Sequence, residues 1–161
     1  MDLVQRAREL YSAGRMHDAL EAAQAACDRA PKDAEAWWLL GRIGRHIGLI
    51  AASDDAFRRA AALARGRPAP YRVTPERFQE LLAQVRGSLS PEAQRRLENV
   101  TLRVQALPSV EEVRAGVDPD ALTSRRGQPA QVITVFQANL ETRSGSEEAL
   151  RALIGRSLSR A

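Results

Sequence analysis

The chain has 161 residues, 44% of them hydrophobic and 27% charged, with a net charge of +4. That length suits one domain or two small ones with a packed core, and the composition excludes global disorder. No apolar run approaches the ~20 residues that cross a bilayer, so no membrane partner is expected.

Met1-Asp2-Leu3-Val4-Gln5-Arg6 is not a basic region followed by an apolar run, so no secretory signal is expected. Cys27 is the single cysteine, set among alanines; it reads as a small buried hydrophobe. Together these point to the cytoplasm. The charge is uneven. Residues 1–64 carry nine basic and nine acidic side chains, whereas residues 65–161 carry fifteen and eleven. A nucleic-acid site needs a clustered basic face, often with aromatics for stacking. Aromatics are only 4% here, so an arginine-rich nucleic-acid binder is the third reading and nucleic acid is not an expected partner.

In chain order, the first 64 residues read as one helical hairpin written twice. Gly14 recurs as Gly48 and Ala26 as Ala60; Ala19 is answered by Ser53, Ala7 by Gly41, Ala23 by Phe57 and Leu10 by Gly44. The pattern predicts helices over Asp2–Ala13, Met16–Ala30, Asp33–Ile47 and Leu49–Ala64. Small residues let antiparallel helices approach, while Trp37, Leu40, Phe57 and Leu63 fill the gaps. Pro31 separates the copies, because proline cannot continue a helix.

A two-helix period of about 34 residues resembles the tetratricopeptide repeat family. Gly14-Arg15-Met16-His17-Asp18-Ala19-Leu20 looks like the turn of such a repeat. Trp37, Leu40 and Gly41 resemble its first-helix signature, and Ala56-Phe57-Arg58-Arg59-Ala60 its second helix. The resemblance implies a binding module. It assigns a peptide groove to the first helices, at Arg8 and Tyr11 in one copy and Trp38, Arg42 and Arg45 in the other. Arginine forks match carboxylates and rings give apolar anchoring, so the implied partner is a protein or peptide of acidic character. The alternative is that Trp38 packs on the following helix and the arginines form a solvated face. The family's lysine and asparagine carboxylate clamp is absent.

Residues 65–73 form a linker, with Pro68 and Pro70 close to Gly66. Thr74-Pro75-Glu76 opens a helix with Phe78, Leu81, Leu82 and Val85 on one face, and Gly87 ends it. Ser90-Pro91-Glu92 opens a shorter one, about Pro91–Glu98. Asn99–Leu107 alternates as a half-buried strand does. Val110–Ala115 is a short helical turn, Asp118–Pro129 a loop, Gln131–Phe136 a second strand, and Ser146-Glu147-Glu148 caps a last helix. Two repeats are few, so the helix Thr74–Arg86 is expected to pack on repeat two or bridge to the C-terminal part; otherwise a homodimer covers the exposed face.

Residues 74–161 also resemble a small bacterial metallopeptidase family of minimal zincin fold. Phe78…Leu81-Leu82, Leu89-Ser90-Pro91-Glu92, Leu97-Glu98-Asn99-Val100, Val104 and Pro108 look like its opening. Gln131–Leu140 looks like its second conserved strand, and Glu148 to Leu158 like the helix that leads to the metal. Where H-E-x-x-H falls in that family, this sequence reads Arg156-Ser157-Leu158-Ser159-Arg160-Ala161. Arg160 takes the place of the first histidine and Ala161 of the glutamate. Arginine repels a cation and alanine takes no proton, so no catalytic residue, metal ligand or cofactor carries over. His17, in the turn, and His46, at a helix end, are not spaced as a metal pair and read as surface or capping residues. Asp54-Asp55 read as solvated charge and Glu111-Glu112 as the opening of a helix.

The expected fold is α+β, mostly α: two tetratricopeptide-like hairpins (1–64), a linker (65–73) and a small helix–strand–strand–helix domain (74–161). The expected function is a non-catalytic protein–protein interaction module, a scaffold with a degenerate zincin-like domain. The alternative is a truncated or inactive zinc metallopeptidase.

Overall fold

The computed structural model of the chain describes residues 2–160; Met1 and Ala161, the latter at the position matched to the zincin glutamate, lie outside them. Among the described residues the order is α1 (Leu3–Ser12), α2 (Met16–Arg29), α3 (Ala34–Arg45), α4 (Ile50–Leu63), α5 (Pro75–Gly87), α6 (Pro91–Leu97), β1 (Thr101–Gln105), α7 (Val110–Arg114), β2 (Thr123–Arg126), β3 (Val132–Phe136), α8 (Gln137–Thr142) and α9 (Glu147–Ser159). The fold is α+β and mostly helical. None of these helices is long and apolar enough to cross a membrane.

The chain divides into two units. The first is Met1–Pro70 with Pro108–Asp120, and the second is Tyr71–Leu107 with Ala121–Ala161. Pro108–Asp120 thus belongs with the helical hairpins, although its place in the sequence groups it with the later elements.

In the first unit, α1 pairs with α2 and α3 with α4 as antiparallel hairpins. Asp2 and Asp33 cap α1 and α3, each accepting a backbone N–H: Gln5 for Asp2, Glu35 for Asp33. Gly14 and Gly48 turn the chain between partners at φ +77° and +83°, where a Cβ is penalised. The core follows from the small residues. Ala7, Ala19, Ala22 and Ala23 are buried together with Tyr11, Leu39 and Ile43. A Cβ on Gly41 would stand 2.7 Å from the Phe57 ring, so the α3–α4 contact depends on its absence.

In the second unit, α5 packs on α9, so Phe78, Leu81, Leu82 and Val85 share a core with Leu150, Ile154 and Leu158. The C-terminal part is one of the two destinations expected for this helix. Ile133 and Val135 join the same core from β3. The sheet order is β1-β3-β2, with β1 parallel and β2 antiparallel to β3.

Two expectations need correction. The loop expected over Asp118–Pro129 contains β2, whose Thr123-Ser124-Arg125-Arg126 has no apolar alternation because it is a partly exposed edge strand. The strand matched over Gln131–Leu140 ends at Phe136. From Gln137 the chain is helical, and α8 buries Asn139, Leu140, Glu141 and Thr142. Glu141 earns this burial by accepting the Val73 N–H at 2.9 Å and the Gln137 side-chain amide at 3.0 Å.

Candidate functional site

The first unit assembles one charged cluster from three places. α1 supplies Tyr11, α3 supplies Arg42 and Arg45, and the Pro108–Asp120 segment supplies Asp120. Tyr11 Oη donates to Asp120 Oδ1 at 2.8 Å. Arg45 Nη2 donates to the same oxygen at 3.1 Å, and Arg42 Nε stands 3.4 Å from Oδ2 as an ion pair. The Arg42 guanidinium lies over the Tyr11 ring, 5.4 Å from its centroid. Arg45 Nε also donates to the Arg42 carbonyl at 3.2 Å. The Arg45 side chain is only 4% exposed, so its charge relies on these partners rather than on water. Burial raises the Tyr11 phenol above its ordinary range, which keeps the hydroxyl protonated and able to donate.

The segment that brings Asp120 is seated along its length. Ser109 and Glu112 form a capping box that starts α7. Val113 is buried in the same core as Ala7, Tyr11, Leu39 and Ile43. The stem of Arg114 lies over the α1–α2 turn, where a Cβ on Gly14 would come within 2.6 Å of it. Asp118 Oδ1 accepts the Asp120 N–H at 2.8 Å and shapes the turn before the anchor.

His46, read as a surface or capping residue, is the C-cap of α3, and it is partly buried there. Its Nε2 lies 3.2 Å from Tyr11 Oη, and the two rings meet edge to face at 5.5 Å. Burial, with the Arg45 charge beside it, lowers its pKa to about 4; a hydrogen bond to the Pro119 carbonyl opposes the shift. The imidazole is therefore neutral at pH 7. Between about pH 6.5 and 4 the unfolded state binds a proton that the folded state does not. Stability is then complete above pH 6.5 and is lost as the pH falls toward 4. Urea unfolding read by tryptophan fluorescence is expected to show this unit losing about 2 kcal/mol from pH 7 to 5 on account of His46. The His46→Gln variant should lose none of that share; an equal loss in both proteins would assign it to another group.

The five residues assigned to a groove fall into two clusters. Tyr11, Arg42 and Arg45 converge on Asp120. Arg8 pairs with Glu35 instead, and Trp38 packs with Phe57 and Arg67. Glu35 takes Arg8 on one oxygen and Arg67 on the other, each at 3.0 Å. Burial pushes the Glu35 carboxyl up, but the Arg8 hydrogen bond and the Arg67 charge outweigh it and hold it below its ordinary value. Trp38 packs edge-on against Phe57 of α4, at 4.9 Å between centroids, and the Arg67 guanidinium lies 4.6 Å from its ring. Packing on the following helix is thus its observed role.

Asp120, His46, Glu35 and Arg67 are the members that the repeat resemblance did not assign. The one legible signal for Asp120 was the acidity of residues 108–120, which hold Glu111, Glu112, Asp118 and Asp120 against Arg114 alone.

Elsewhere, Cys27 is buried and burial pushes its thiol up to about 11, as for an inert packing residue. His17 is exposed. Among the described residues no three His, Cys, Asp or Glu side chains are grouped to share a metal ion. Comparisons with protein-family models, with curated proteins and with solved structures found no match.

Proposed function

We propose that the chain is a non-catalytic protein-binding module acting in the cytoplasm, with tetratricopeptide-like hairpins as its docking surface. The ligand chemistry is an acidic protein segment. One observation supports this above the others: the face shared by α1 and α3 already holds the carboxylate of a segment 109 residues away in sequence. Guanidinium groups only donate and the Tyr11 hydroxyl donates here to a carboxylate, so Tyr11, Arg42 and Arg45 favour carboxylates over neutral groups. The second unit is a degenerate zincin-like companion. Arg160, matched to the first histidine of that family, is the C-cap of α9, and its carbonyl accepts from Arg125 at 3.0 Å.

The test is affinity capture from the native cells with the full chain as bait, beside an Arg42→Gln variant shown by circular dichroism to be folded. Proteins held by the parent chain should fall more than tenfold with the variant. They should also be eluted by an acidic peptide and not by a neutral one. Retention of the same proteins by Arg42→Gln would remove this face from the docking surface.

A further inference from the structure

We infer that Pro108–Asp120 is an internal stand-in for the partner's docking segment, and that a partner binds this face by taking its place. The inference rests on the docking role proposed above and adds what the partner must look like. The segment is seated through side chains spread along its length. Pro108, Val113 and Pro119 are buried, Val110 packs against the core that holds Val113, and Asp120 carries the carboxylate. Arg114, Ala115 and Gly116, between Val113 and Pro119, are exposed. The face therefore reads a branched apolar residue and, six positions on, a Pro-Asp pair, on an acidic background that complements Arg42 and Arg45; between them Gly116 turns the chain at φ +107° and Asp118 shapes the approach to Asp120. α7 spans only Val110–Arg114, far below the length at which a helix is stable alone, so its order depends on its seat. Segments of this kind belong to the part of a protein that opens most readily. While it stays seated, the affinity for an external segment is reduced by the fraction of molecules in which the face is open.

The probe is a fluorescein-labelled synthetic peptide of residues 108–120, and the readout is anisotropy with the full chain. The Val113→Ala/Asp120→Ala chain, weakened at both internal anchors, should bind the peptide at least tenfold more tightly than the parent chain. The same peptide carrying Asp120→Ala should not bind. Equal binding by the parent and the double variant would overturn the stand-in role while leaving the acidic docking face intact. No binding by a folded double variant would overturn both. A second measurement needs no variant. Millimolar unlabelled peptide should speed hydrogen exchange of the Val113–Val117 amides in the parent chain, and unchanged exchange counts against displacement.

Discussion

Asp120→Ala is expected to cost the first unit about 3 kcal/mol, the lower end of what breaking a buried charge pair removes. The lower end applies because the Asp120 side chain is 23% exposed. The cost arises on the arginine side. Arg45 is enclosed, and alanine takes away Oδ1, which accepts from both Arg45 and Tyr11. Asp120→Asn keeps an oxygen in that place and discards the charge, so it should cost less, about 1–2 kcal/mol. Both tryptophans of the chain, Trp37 and Trp38, lie in this unit, so urea unfolding followed by their fluorescence reports on it. A loss below about 1 kcal/mol would mean that water already screens the pair as it does at a surface.

The second unit has its own sensitive carboxylate. Glu141→Ala should cost about 4 kcal/mol, because this side chain closes a buried polar network. Glu141 is 4% exposed. It accepts from Val73 N–H, from Gln137 Nε2 and, at 3.4 Å, from Arg72 Nη1. Alanine removes the acceptor of the Val73 amide and a counter-charge of Arg72. The loss should appear as a lower midpoint in thermal unfolding by circular dichroism. It should be accompanied by faster hydrogen exchange at Val73. A protected Val73 amide in a destabilised variant would show that the cost comes from somewhere other than this network.

The hairpins were legible because their signals are local. Asp2 and Asp33 announce helix starts, Gly14 and Gly48 announce the turns, and alanine spacing gives the buried stripe. Each of these acts within a few residues of the backbone it shapes. Tyr11, Arg42 and Arg45 were marked by the repeat resemblance, whose groove positions rest on the same local pattern. What holds them together was not legible. The Tyr11–Asp120 hydrogen bond joins residues 109 apart, and no periodic pattern encodes such a distance. β2 was hidden because its arginines read as loop, yet pairing with Val132–Val135 is enough to extend an edge strand. α8 was hidden because a helix that buries Asn139, Glu141 and Thr142 shows no apolar stripe.

That same long-range contact sets an order of events during synthesis. The four helices of the hairpins are complete at residue 63, and the unit's last piece ends at Asp120. Residues 71 to 120 take about 2.5–10 s to add at ordinary translation rates of about 5–20 residues per second. Through that interval the nascent hairpins expose Arg42, Arg45 and the Val113 seat with nothing from their own chain to fill it. The cluster around Asp120 is thus the last part of the first unit that synthesis makes possible, and until then its two arginines lack their carboxylate.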